Sequence, residues 1–161
     1  MARKRTLLLL LLGAAAPAAA QQALGVYGLW GAFRTAESCY AIAEPDQAAK
    51  PGDGRPYASV GYWPRRGGRG QAYFRLRRPK REGSAVLLRI DERTFQLRGG
   101  GASAWASGPA ADAEIVAAMR TGIDMTVETR AANGALLRDS YRLRGAATAI
   151  DAAAIACARR P

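Results

Sequence analysis

The sequence predicts a mainly β protein: an antiparallel, immunoglobulin-like β-sandwich with one or two short helices. Three observations lead there. Short runs rich in aromatic and branched residues recur at regular spacing, each closed by Gly, Pro or charged residues. Several of these runs alternate apolar and polar positions, as half-buried strands do. Asn133-Gly134 sits between two of them, and that dipeptide suits the positive φ angles of a tight hairpin turn.

Taken in order, 26–33 (VYGLWGAF) reads as a first strand. Residues 38–43 (SCYAIA) read as a second, with Cys39, Ala41 and Ala43 on one face and Tyr40 and Ile42 on the other. The stretch 44–56 holds three prolines, two glycines and several charges, the composition of an exposed loop. Strand character resumes over 57–63 (YASVGYW) until Pro64, and 65–70 (RRGGRG) is a flexible basic turn. In 71–77, Ala72, Phe74 and Leu76 fall on one face and Tyr73, Arg75 and Arg77 on the other. After a turn at 78–83, strands at 85–90 and 94–98 flank a polar turn containing Asp91 and Glu92.

Gly99-Gly100-Gly101 breaks the pattern before a brief strand at 102–106 that carries Trp105. A helix follows, with Asp112 as its N-cap, Glu114 near the positive end of the dipole, and Ile115, Val116 and Met119 as its apolar side. Thr121-Gly122 ends it. Over 123–130, Ile123, Met125 and Val127 face one way and Asp124, Thr126, Glu128 and Arg130 the other; 136–143 returns as the hairpin partner. An alanine-rich helix over 146–158 closes the chain, and Arg159 and Arg160 suit its C-terminal end. The total is about eight or nine strands in one domain, 21–161, with no internal repeat and no linker.

Residues 1–20 read as a signal peptide. Arg3, Lys4 and Arg5 precede a run of leucines from Leu7 to Leu12, and an alanine-rich stretch ends at Ala20. The apolar run is shorter than the roughly 20 residues a membrane span needs. The expected mature chain therefore starts at Gln21, has no transmembrane segment, and resides in the periplasm or outside a Gram-negative cell. In that oxidising setting Cys39 and Cys157 have a structural disulfide as their default state, with free thiols or a redox pair as the alternatives. Closing so long a loop is worth on the order of 4 kcal/mol in the chain-entropy picture.

Composition narrows the chemistry. The chain contains no histidine, which removes the commonest general base, the usual zinc ligand and every Ser-His or Cys-His arrangement. No metal or cofactor is expected, and Asp46 and Asp53 lie in a loop with too few regularly spaced oxygen ligands for calcium. Without the three leader cations the net charge is +8 instead of +11. The cations cluster as Arg65, Arg66 and Arg69, then Arg75, Arg77, Arg78, Lys80 and Arg81, a candidate surface for an anionic polymer. Tyr73, beside Arg75 and Arg77, suits stacking on a base or sugar. A solvated strand face is the plainer account of the same residues. Trp30, Trp63 and Trp105 are candidates for a sugar-binding face, although packing is the commoner role of tryptophan in a small sandwich.

Asp139 stands out because alternation places it on the face of Leu137, Tyr141 and Leu143, which should point inward. A carboxylate there needs a partner. An arginine ion pair or a set of backbone N–H bonds near a sheet end is the simpler reading, and a catalytic acid or ligand-binding group the alternative. Asp151 fits an N-terminal cap of the last helix.

Several segments together resemble the invasion-associated locus B family of alphaproteobacterial exported proteins: GLWGAF at 28–33, CYA at 39–41, YASVGYWP at 57–64, FQL at 95–97, IVAAMR at 115–120, DSYRLRG at 139–145 and TAID at 148–151 before Cys157. The chain departs from the better-studied branch of that family in lacking a further close cysteine pair and in its alanine-rich end. The resemblance implies a non-catalytic, exported β-sandwich of the cell envelope, associated in some members with entry into host cells. The expected partner is an envelope or host component, and the expected state a monomer. Two other functions compete: a periplasmic module binding anionic envelope polymers, and a small enzyme using Asp139 with a second carboxylate.

Overall fold

The computed structural model describes residues 21–158; the leader expected over 1–20 lies outside the described residues. Five strands come first: β1 (Gln22–Tyr27), β2 (Trp30–Arg34), β3 (Cys39–Ala43), β4 (Tyr57–Trp63) and β5 (Gly68–Arg75). Then follow β6 (Val86–Ile90), β7 (Arg93–Gly100), β8 (Ser103–Trp105), α1 (Pro109–Thr121), β9 (Asp124–Arg130), β10 (Leu136–Arg142) and α2 (Ala146–Ala158). The ten strands form one unclosed antiparallel sheet in the order β1-β2-β3-β4-β5-β8-β7-β6-β9-β10.

The mainly β, antiparallel class read from the sequence is the observed one, and the ladder shows how its halves join. β7 pairs with β6 through residues 93–97 and with β8 through Arg98, Gly99 and Gly100. Buried side chains from both halves, Ala41 and Val60 as well as Leu88 and Val127, belong to one core. The two ends of the sheet meet where the β1–β2 hairpin reaches the end of β10. There the Leu29 N–H donates to the Arg144 carbonyl at 3.3 Å, and Trp30 Nε1–H to the Arg142 carbonyl at 3.0 Å.

α2 lies against β1 to β4, and α1 against β5 and α2. The buried side of α2 is Ala146, Ala149, Ile150, Ala153 and Cys157, a stripe at helical spacing. It faces strands whose inward residues are also small: Ala32, Ala41, Ala43 and Ala58. Alanine on both sides lets the helix approach the sheet closely. The Cys39–Cys157 disulfide, with Cα atoms 5.7 Å apart, then fastens the last turn of α2 to the start of β3.

Local expectations needed six corrections. The run at 26–33 is two strands, because Gly28-Leu29 turns the chain back on itself. Gly68 to Gly70 belong to β5, so the basic turn is only the single 3-10 turn Pro64–Arg66 and Gly67. Gly99 and Gly100 continue β7 instead of ending it. Helix α1 begins three residues before Asp112, with Gly108 at the cap and Pro109 at the first helical position, where its fixed φ is already suitable. Asp151 is the sixth residue of α2 and pairs with Arg120 of α1, so it joins helices and caps nothing. Ile123 precedes β9 and is 72% exposed, while Met125 and Val127 are buried as expected.

The turn at Asn133-Gly134 is a hairpin, but only Gly134 has a positive φ, at 84°. The chain closes through Gly134 N–H to the Ala131 carbonyl and Ala131 N–H to the Ala135 carbonyl, each 2.8 Å. The long loop at 44–56 has a structural duty as well. Its Asp46 N–H donates to the Ser140 carbonyl at 2.8 Å, and Gln47 Oε1 accepts from Ser140 N–H at 3.0 Å, so it occupies backbone groups on the edge strand β10.

Candidate functional site

The outward face of β3, β4, β5 and β8 carries the site. Register partners across antiparallel strands lie side by side on one face, and pairing builds a continuous row Ile42–Ser59–Tyr73–Trp105–Arg98 over five strands. A second row, Phe33–Tyr40–Gly61–Gln71, runs beside it, and a third, Tyr57–Arg75–Ser103, on the other side. Large side chains thus surround a centre of small ones, Ser59 and Gly61. The Trp63 indole lies over Gly61, where a Cβ would collide with the ring. The result is a groove of about 900 Å³ along the sheet.

The rings around it are held in place. Tyr57 and Tyr73 sit with centroids 5.8 Å apart, and Phe33 and Tyr40 stack at 5.7 Å. The Tyr73 and Ser103 hydroxyls share a hydrogen bond of 2.7 Å. Burial pushes the phenols of Tyr40 and Tyr57 above their ordinary range.

Asp112 closes one end of the groove. β8 pairs with β5 only at Tyr73 to Arg75, so the N–H of Ala72 has no strand partner there. The first turn of α1 fills the position, and Asp112 Oδ1 accepts that N–H at 2.8 Å. The residue is 8% exposed and lines the groove, and its Oδ2 has no hydrogen-bond partner among the described residues. Burial raises its pKa, with the Ala72 N–H working against the rise.

The residues singled out in the sequence distribute as follows. Trp63 and Trp105 line the groove, whereas Trp30 is fully buried in the core. Arg65, Arg66 and Arg69 are exposed at one end of β5, and Arg75 and Arg81 are exposed at or beyond the other. Five residues of extended strand separate Arg69 from Arg75, on the order of 20 Å. Lys80 donates to the Arg81 carbonyl at 3.0 Å.

Arg77 is a different case, because it is buried between two carboxylates. Its Nε donates to Asp139 Oδ1 at 2.6 Å and its Nη1 to Asp53 Oδ2 at 3.2 Å. Arg78 Nε reaches Asp53 Oδ1 at 2.6 Å. The inward-facing Asp139 therefore has the arginine partner it needed, and a second carboxylate, Asp53, shares that arginine. Burial still holds the Asp139 carboxyl above the usual carboxylate range, whereas the Lys50 N–H and Arg78 hold Asp53 below it. Neither acid lines the groove. Together they tie the loop at 44–56 to the end of β5 and to β10.

Alternation in the sequence separated Tyr40 and Ile42 from the buried face of β3, but nothing local assembled them with Tyr57, Trp63, Tyr73 and Trp105. Sheet order does that. Asp112 was read as a cap because its partner, Ala72, lies 40 residues away in sequence.

Fold and site together define a small antiparallel β protein with two helices, one disulfide anchoring the last helix, and an aromatic groove on its outer face. Among solved structures the chain is similar to invasion-associated protein B from Bartonella henselae, with a TM-score of 0.58 and 16% identity over 84% of this chain and 98% of that one. At that identity the likeness is one of fold. No protein-family model and no curated protein matches the chain.

Proposed function

We propose that this chain is an exported, non-catalytic interaction protein of the Gram-negative cell envelope, periplasmic or released, that binds its partner through the outward aromatic groove. The observation that carries the reading is Trp105, 42% exposed between Tyr73 and Arg98 in a row of register partners that the core does not use. A contiguous aromatic face with a few convergent polar groups is the usual form of a binding site. The disulfide suits an oxidising compartment, and among the described residues no helix is long and apolar enough to cross a membrane. The likeness to an invasion-associated protein supports extending the partner class to host surfaces.

The test uses the full chain expressed with its own leader. The periplasmic or secreted fraction should hold a species starting at Gln21 with its disulfide closed, and that species should co-sediment with isolated cell envelopes. The Trp63→Ala, Trp105→Ala double variant should fold and lose co-sedimentation. Retention of Met1 in a cytosolic pool overturns export, and equal co-sedimentation of the double variant overturns the groove as the binding surface.

A further inference from the structure

Resting on that reading, we propose that the groove binds a saccharide chain carrying carboxylates, its sugar rings lying on Trp105, Tyr73 and Trp63 and its acid groups meeting Arg98 and Arg75.

The occupant follows from what the groove offers and withholds. A peptide adding itself as a strand needs a free sheet edge. β3, β4 and β8 are each paired on both sides, and β5 is paired with β4, with β8 at Tyr73 to Arg75, and is covered by α1 where β8 ends, so this face offers no free backbone ladder. A lipid chain is served by an enclosed apolar cavity. Here the groove is open along the sheet, and Gln71, Ser59, Ser107 and Asp112 are set among the rings. Flat apolar platforms edged by hydrogen-bonding groups fit a ligand with an apolar face and a polar rim, which describes a sugar ring.

Asp112 adds a second observation. It is more than nine-tenths buried and lines the groove, and it spends one oxygen on Ala72 and leaves the other without a protein partner. A carboxylate oxygen accepts only, so the group it awaits is a donor, and a sugar hydroxyl is one. Charge selects the acidic sugars. Arg98 ends the Trp105 row, Arg75 is the register partner of Tyr57, and neither has an ion pair among the described residues. These two cations flank the aromatic floor, unlike Arg77, which the interior consumes.

The probe is an oligogalacturonate, with maltohexaose as its uncharged counterpart and polyphosphate as charge without a ring, each titrated against the mature protein by tryptophan fluorescence and calorimetry. Oligogalacturonate should shift the emission, because two of the three tryptophans line the groove. Maltohexaose should bind more weakly. Trp105→Ala should weaken oligogalacturonate binding about tenfold, the loss of one stacking platform. Arg98→Gln should weaken it and flatten its salt dependence, and Asp112→Asn should weaken the acidic and the neutral sugar alike.

Two further arms separate sources of the same chemistry: a hyaluronan oligosaccharide for host matrix, and a lipopolysaccharide core oligosaccharide for the bacterial envelope. Failure of all four sugars to bind overturns the proposal, as does oligogalacturonate binding that Trp105→Ala leaves intact. Polyphosphate binding as tight as oligogalacturonate and equally indifferent to Trp105→Ala also overturns it, assigning the charge effect to scattered arginines. Should the groove variants lose envelope co-sedimentation while no sugar binds, the saccharide is wrong and the binding role of the groove stands.

Discussion

The two faces of β3, β4 and β5 are built the opposite way from most sheets. The face toward the core carries mostly small residues, Ala41, Ala43, Ala58, Val60 and Ala72, with Phe74 its one ring, while the face toward solvent carries Tyr40, Ile42, Tyr57, Trp63 and Tyr73. Burying aromatic area is among the strongest stabilising devices available to a small domain. A sheet shaped by folding alone would turn those rings inward. The inner face is small because α2 lies on β3 and β4 and α1 on β5, and α2 and the sheet approach through alanine. The outer rings have no such account, which is why they mark the surface that meets a partner. The comparison separates residues that hold the fold from residues that await a ligand, and substitutions on the two sides should therefore behave differently.

The largest effect belongs to the interior. Asp139→Ala leaves Arg77 buried with only Asp53 for company, and breaking a buried pair from one side costs about 3–5 kcal/mol. Chemical denaturation should show that loss, with co-sedimentation of the folded fraction unchanged because Asp139 is not in the groove. A loss under 1 kcal/mol would mean that Asp53 and Arg77 form a sufficient pair alone. Asp139→Asn should cost less, since its amide oxygen still accepts from Arg77 Nε.

The same pair shows how far the sequence could be read. Alternation in DSYRL placed Asp139 inward, where a carboxylate needs a partner, and it is buried with one. The choice of Arg77, 62 residues away, came from the fold, since the chain offers 24 lysines and arginines. The disulfide was legible for a simpler reason: two cysteines in a chain read as exported leave one pairing. The groove was not legible. Its members sit on strands of ordinary alternating pattern, and only the order β3-β4-β5-β8-β7 puts Trp105 between Tyr73 and Arg98. Two of the misplaced boundaries share one cause, that Gly and Asp carry turn and cap signals which tertiary pairing overrides. Gly99 stays in β7 because β8 pairs with it, and Asp112 enters the helix because Ala72 needs an acceptor.

The disulfide comes next in size. It fixes α2, whose stripe covers the small-residue face, across a separation of 118 residues. Cys39→Ser with Cys157→Ser should lower stability by about 2–5 kcal/mol in denaturant titration. Loss of the bridge frees the end of α2 first, so hydrogen exchange should rise in 146–158 before it rises in β3 to β5. Uniform loosening of sheet and helix together would show that α2 is held by packing and owes little to the bridge.

Asp112 gives the smallest and most discriminating effect, because it belongs to both faces at once: Oδ1 serves the fold and Oδ2 faces the groove. Asp112→Ala strands the Ala72 N–H in a buried site, a cost of about 1–3 kcal/mol. Asp112→Asn keeps an oxygen for that N–H and removes a charge that burial disfavours, so its stability at neutral pH should equal or exceed that of the parent chain. The pH dependence gives the sign. The Asp112 carboxyl is raised in the folded state above its ordinary 3.8, so the folded chain holds its proton more tightly than the unfolded one. By linkage, its contribution to stability is greatest below pH 3.8 and falls as pH rises through the raised value. Asp53 runs the other way: its lowered carboxyl contributes above its ordinary value, and that contribution is lost as pH falls through the folded one. Thermal melts of the parent and the Asp112→Asn variant between pH 3 and pH 7 isolate the first effect, since Asp53 is common to both and cancels in the difference. The gap between the two chains should move in favour of Asp112→Asn as pH rises. A gap moving the opposite way would mean that the Asp112 carboxylate is stabilised by its surroundings, and the donor it awaits in the groove would already be supplied by the protein.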